Sequence, residues 1–167
     1  TRPSWDDVWM RTALAMSERS KCVRATVGCV VVSDEQRVVS SAYNGPPAGF
    51  PAEGPCSNWC PRAQAQGNGD PTYDDCHSVH SETNAITRAD PQELKGATIY
   101  VTSSMCKGCA KVVANSGVTR VVHLVNDEVH WYRNSGVTED FLRECGLEVV
   151  RWIDNDGESD ANAGHQS

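Results

Sequence analysis

No apolar run in this chain approaches the roughly 20 residues that a bilayer-spanning helix needs, which excludes a membrane protein of that kind. Positive charge is scarce as well. Lys and Arg number 15 against 22 Asp and Glu, the net charge is −7, and no basic run stands out. Proteins that follow a polynucleotide backbone carry a basic surplus or stripe, so a nucleic-acid polymer is disfavoured as a partner. A mononucleotide stays open, because one or two Arg suffice for its phosphate. There is no internal repeat, and from Thr1 the chain opens on a polar stretch without an apolar signal region. Hydrophobic residues make up 39% and charged residues 22%, the balance of a soluble globular protein, and a cytoplasmic location is expected. A chain of 167 residues can bury a core without disulfide staples, and one domain is expected over 1–153. Residues 154–167 are polar and expected to be disordered.

Cysteine, by contrast, is abundant: eight stand at positions 22, 29, 56, 60, 76, 106, 109 and 145. In a small secreted protein these would suggest a disulfide framework. Without a signal segment, and with His residues among the thiols, metal ligation is the better reading. Cys29 and Cys145 lie in apolar runs and are expected in the core.

Periodicity and breakers predict the elements. Residues 5–19 carry Val8, Trp9, Leu14, Ala15 and Met16 at imperfect helical spacing, with Ser4, Asp6 and Asp7 suited to the helix start. Residues 27–32 form a β-branched run of strand length, and 38–43 a hairpin partner ended by Asn44-Gly45-Pro46-Pro47. Residues 45–79 are rich in Pro, Gly and Cys and show little periodicity. A loop of that length is uncommon, and is usually functional or internally braced. Helices are predicted over 80–89, 106–116 and 138–145, and strands over 97–102, 118–125 and 147–153. Alternation of strand and helix after residue 80 implies parallel pairing. With the antiparallel hairpin, the expected class is α/β: a mixed five-stranded sheet with helices on both faces, in three layers.

Two short pieces carry the chemistry. His80-Ser81-Glu82 opens one predicted helix, and Cys106-Lys107-Gly108-Cys109 opens the next. Each follows an extended segment, so both helix starts can meet at one edge of the sheet. One imidazole and two thiolates give zinc three protein ligands and leave a fourth position for water, the catalytic rather than the closed structural pattern. Helix N-termini favour the thiolate form of Cys106 and Cys109. Glu82 is placed to move protons for the water without being a ligand itself. Alone, either piece is a weak signal. Together, separated by a strand, they match the signature of zinc deaminases, in which water attacks a base and a Glu serves as acid and base.

From about residue 2 to 152 the chain resembles the deoxycytidylate (dCMP) deaminases of the cytidine deaminase superfamily. The resemblance rests on RPSWDDVWM at 2–10, SKCVRATVG at 20–28, AYNGPPAG at 42–49, HSETNAI at 80–86 and ATIYVTSSMCKGCAKVVANSGVTRVV at 97–122. It implies a cytidine deaminase-like fold and hydrolysis of dCMP to dUMP and ammonia. It implies Zn2+ on His80, Cys106 and Cys109, with Glu82 catalytic. It also implies a homo-oligomer, often a hexamer, with dCTP as activator (accompanied by Mg2+) and dTTP as inhibitor. Asn44 is the expected sugar contact, against a purely turn-forming role, since Asn-Gly is a common turn dipeptide. Arg24 is the candidate for a phosphate of substrate or effector, against a solvated surface charge.

Three features depart from the family pattern. Met105 stands where Pro is usual before the first Cys, Ser81 where Ala is usual after the His, and 126–134 (NDEVHWYRN) lacks the Tyr pattern expected near the nucleotide. They bear on the substrate rather than on the chemistry, and a 5-substituted dCMP enters consideration. Some family members carry a second, structural zinc. Here Cys22, Cys56, Cys60 and Cys76, with His77 able to replace one Cys, could close such a site and brace the long loop. Free thiols or one disulfide are the rival reading. Two other functions compete with dCMP deamination: deamination of a base in tRNA or single-stranded DNA, and a zinc-braced binding module without catalysis. The acidic balance opposes the first. Glu82 opposes the second, because a structural site has no use for a carboxylate beside an open position.

Overall fold

In a computed structural model, residues 1–125 and 135–154 are described. Helix α1 spans Trp5–Ser17. Its start is a capping box: the Ser4 hydroxyl accepts from Asp7 N at 3.1 Å, and the Asp7 carboxylate accepts from Ser4 N at 3.1 Å. Strands β1 (Gly28–Val32) and β2 (Val38–Tyr43) form the hairpin, followed after the long loop by α3 (Ser81–Thr87), β3 (Thr98–Val101), α4 (Lys107–Ala114), β4 (Arg120–Leu124), α5 (Ser135–Glu144) and β5 (Glu148–Trp152). The long loop is not without structure. It holds a 3₁₀ turn at Cys56–Asn58 and a short helix, α2, at Pro61–Gln64.

The sheet runs in the order β2-β1-β3-β4-β5, with β1 antiparallel to β2 and β3, and β3, β4 and β5 parallel. The mixed five-stranded sheet expected from the alternation is therefore present. Period-two alternation divides the core. Cys29, Val31, Ile99, Val101 and Val121 pack with Ala85, Ala110, Val113 and Leu142 from α3, α4 and α5. Val30, Val32, Tyr100, Val122 and Trp152 pack with Met10 and Ala13 from α1. Helices thus cover both faces.

Two expectations need correcting. The buried stripe of α1 is Met10, Ala13 and Ser17, whereas Ala15 is exposed and Val8, Trp9, Leu14 and Met16 are half-buried. Small residues face inward because the helix lies directly on β1, where a Cβ at Gly28 would strike the Ala13 carbonyl oxygen. Cys29 is fully buried, but Cys145 is exposed, at the end of α5 rather than inside it. The expected tail, apart from Asp154, and the stretch 126–134 lie outside the described residues.

The start of α1 is latched to the sheet. Arg120 on β4 donates to both Asp6 carboxylate oxygens at 2.8 and 2.7 Å, Tyr100 Oη donates to Asp6 Oδ1 at 2.7 Å, and Trp152 Nε1 donates to Asp7 Oδ1 at 2.9 Å. No helix among the described residues is long and apolar enough to cross a membrane.

Candidate active site

The ends of the long loop are pinned together. Gly45 N donates to Val79 O at 3.2 Å and Val79 N to Gly45 O at 2.7 Å, so the chain returns to the end of β2 and places His80 beside Asn44. Helix α3 is then fixed on β2, with Ser40 Oγ donating to Ala85 O at 2.8 Å and Asn84 Nδ2 to Tyr43 O at 3.0 Å. His80 is the extended N-cap residue of α3, and Cys106 is the extended N-cap residue of α4. Both predicted helices therefore begin one residue later than expected, and both ligand pieces lie at helix starts.

His80 Nδ1 stands 3.4 Å from Cys106 Sγ and 3.4 Å from Cys109 Sγ. A tetrahedral zinc with bonds of about 2.0 to 2.3 Å separates its ligand atoms by about 3.5 Å, so the triangle fits that ion. Among the described residues this is the only group of three or more His, Cys, Asp or Glu ligand atoms within 4.8 Å of one another. The Cys106 thiol lies well below the usual range, chiefly through its hydrogen bond with Cys109, aided by His80. Cys109 is raised, through the same hydrogen bond, burial and the nearby Glu82 charge. Two thiols this close share a proton, and the helix-start preference for thiolate shows on Cys106. Thr83 Oγ1 lies 3.5 Å from Cys109 Sγ.

Glu82 and Ser81 are buried, and Ser81 Oγ donates to Glu82 Oε2 at 3.3 Å. A cavity of about 250 Å³ opens on this cluster, and its lining includes Arg24, Asn44, Tyr73, Glu82 and Cys106. Asn44 is buried and braces the turn that leads into β1: its Oδ1 accepts from Val27 N at 2.9 Å and its Nδ2 donates to Ala25 O at 2.8 Å. Arg24 donates to Gly67 O at 2.7 Å and Ala65 O at 3.1 Å, both neutral acceptors, and forms no ion pair among the described residues. Two residues of the cavity wall, Arg62 and Tyr73, were not foreseen. They sit in the long loop, where no periodicity signals a role, between Cys60 and Cys76 of the four thiols Cys22, Cys56, Cys60 and Cys76.

Those thiols gather but do not close. Cys22 interacts with Cys56, and Cys60 with Cys76. Val23 N donates to Cys56 Sγ at 3.2 Å and His77 N to Cys60 Sγ at 3.5 Å. The His77 ring instead meets Phe50 edge-on, 5.1 Å between centroids.

Residues 3–125 match the family described as the cytidine and deoxycytidylate deaminase zinc-binding region. The chain belongs to this family. His80, Glu82, Cys106 and Cys109 all fall within the matched span. A deoxycytidylate deaminase of Mycobacterium phage D29 is 43% identical over 128 residues, which cover 74% of this chain and 96% of that protein. The Homo sapiens deoxycytidylate deaminase is 31% identical over 161 residues, 87% of this chain and 84% of that one. Among family structures, the dCMP deaminase of cyanophage S-TIM5, solved with dCMP and dUMP, superposes with a TM-score of 0.67 at 25% identity, covering 91% of this chain and 99% of that one.

Proposed function

We propose that this protein hydrolyses dCMP to dUMP and ammonia. The observation that carries the reading is the His80–Cys106–Cys109 triangle, with Glu82 buried beside it in one cavity. His80, Cys106 and Cys109 would hold zinc, which would act as a Lewis acid and lower the pKa of a water there toward neutrality. The chain's residues do the rest. Glu82 accepts one proton from the attacking water and passes it to N3 of the base, then carries the second from the new C4 hydroxyl to the 4-amino nitrogen, so that the C4–N bond breaks, C4 becomes a carbonyl and ammonia leaves. Ser81 Oγ orients the carboxylate through Oε2.

Asn44 has a second amide hydrogen beyond the one given to Ala25 O and offers it to the sugar. Arg24, on the rim with no neutralising acid among the described residues, takes the 5′-phosphate. A 5-substituted dCMP is a further but slower substrate of the same site. Cys22, Cys56, Cys60 and Cys76 hold a second, structural Zn2+, with His77 as the substitute ligand. The gathered thiols and the N–H groups aimed at Cys56 and Cys60 sulfur support this. dCTP with Mg2+ and dTTP regulate a homo-oligomer, a hexamer, in the cytoplasm.

The test is direct. Purified zinc-loaded protein incubated with dCMP should release ammonia and lose the cytosine absorbance, ahead of CMP, dCTP, deoxycytidine and a deaminase-substrate tRNA. Failure on dCMP with turnover of the tRNA would overturn the reading. Metal analysis should give close to two zinc per chain; one per chain removes the structural site.

A further inference from the structure

The long loop places an aromatic ring directly against the metal-ligating histidine. Tyr73 meets His80 edge-on, with centroids 4.7 Å apart and planes at 87°. Arg62 lays its guanidinium 4.4 Å from the centre of the Tyr73 ring. That guanidinium is fixed in turn: Nη1 donates to Asp70 O at 2.6 Å and Asp75 Oδ1 at 3.0 Å, and the side chain is only 8% exposed. Arg62 N also donates to Asp75 O at 2.9 Å. Tyr73 itself takes a φ of 65°, a left-handed conformation that bulky residues rarely adopt, and its N–H donates to Asp70 O at 3.0 Å. Such an outlier persists only where the surroundings over-determine it. Asp75, Arg62 and Tyr73 therefore form a braced column that ends on His80.

The column stands between two cavities. One is the site cavity of about 250 Å³. The other, of about 600 Å³, reaches past Met105 and Lys107 to Val137 and Thr138. Arg62, Asn68, Tyr73 and Cys106 line both. Of these four, Tyr73 offers the largest rigid apolar surface, and it alone stacks on a ligand. We propose that Tyr73 is the specificity-determining wall of the site, setting how bulky a base can be at the metal ligands. The proposal rests on the deaminase reading above. A base attacked at C4 lies with C4 at the His80–Cys106–Cys109 triangle, so the groups nearest the ring are those on C5 and on the exocyclic nitrogen. With Tyr73 in place, a larger substituent there meets the ring. Without it, the substituent enters the neighbouring cavity, whose wall includes the adaptable Met105.

The experiment compares wild type, Tyr73→Phe, Tyr73→Leu and Tyr73→Ala, each checked for zinc content, on dCMP, 5-methyl-dCMP, 5-hydroxymethyl-dCMP and N4-methyl-dCMP. Size discrimination in such pockets runs about 10- to 200-fold per small group. Tyr73→Ala should raise KM for dCMP about tenfold, with a smaller change in kcat. Its kcat/KM for at least one bulkier substrate relative to dCMP should rise tenfold or more. Tyr73→Leu should fall between, and Tyr73→Phe should keep the wild-type ratio within about twofold. Calorimetric binding of dUMP and 5-substituted dUMP should show the same reversal without turnover. Ratios unchanged within twofold in both Tyr73→Ala and Tyr73→Leu would overturn the proposal. Wild-type turnover of dCMP tests the underlying reading separately.

Discussion

A carboxylate with 4% of its surface exposed is costly to keep charged unless something meets it, and Glu82 is such a group. Ser81 Oγ answers one oxygen at 3.3 Å, and the Glu82 charge is felt by both Cys109 and Cys29, whose thiols it helps to push up. A purely structural site gains nothing from this arrangement, whereas a proton carrier needs it. Glu82→Gln keeps the shape and removes the proton acceptor. Its kcat should fall by about 10² to 10⁴, the usual span for a general acid–base group, while zinc per chain stays at the wild-type value. Zinc loss together with the activity would place Glu82 in the metal-holding set instead. Asn44 shows the limits of reading one residue from its neighbours. The Asn-Gly pair signals a turn, whereas the Asn44 amide ties the end of β2 to Ala25 O and Val27 N ahead of β1 and also lines the site cavity. Nothing in the dipeptide separates the two uses, because both depend on a strand seventeen residues away in sequence.

At the level of elements, most of the fold was legible, because strands β1 to β5 are short β-branched or apolar runs bounded by turns. What stayed hidden depends on distance along the chain. The inward face of α1 was misread, since large apolar residues suggested the buried side while the close approach to Gly28 selects Ala13 and Ser17. Asp6 read as a helix-start charge and proves to be the acceptor for Arg120 and Tyr100, both from strands far downstream. That latch is only a quarter exposed on each side, which lifts it above an ordinary surface pair. Arg120→Met should leave the half-buried Asp6 carboxylate with Tyr100 Oη but no cation, and cost about 2 kcal/mol. For a chain of this length that is a drop of about 6 °C in melting temperature, read by calorimetry on zinc-loaded protein. An unchanged melting temperature would mean that the helix is held by its apolar contacts alone. The loop residues Arg62 and Tyr73 were illegible for a related reason: their roles come from a fold-back onto His80 that no local pattern encodes.

For the whole molecule, the acidic balance that disfavoured a polymer partner agrees with a site in which Arg24 is the one lining cation without an acid partner among the described residues. Stability as a function of pH is also a property of the whole chain, and one buried group gives it a defined direction. His123 on β4 is 3% exposed and faces Glu139 and Arg143 from α5 and Arg151 from β5. Its Nε2 comes within 3.0 Å of Glu139 Oε1, yet neither ring nitrogen has a hydrogen-bond partner among the described residues. Glu139 is turned instead to Arg151, whose Nε donates to it at 2.7 Å. Burial therefore prevails, and the His123 ring is held below its ordinary pKa of 6.5, with Glu139 only partly opposing. A depressed folded pKa means that the unfolded chain takes up the proton first. The stability from neutral His123 is thus full above pH 6.5 and is lost as pH falls toward the lowered folded value. His123→Gln cannot titrate and should lack this loss. Urea midpoints for both proteins at pH 7.5 and 5.5, with zinc saturating, should converge on acidification, the wild type losing more. Parallel declines would show that His123 is protonated as readily folded as unfolded, and that Glu139, not burial, sets its charge.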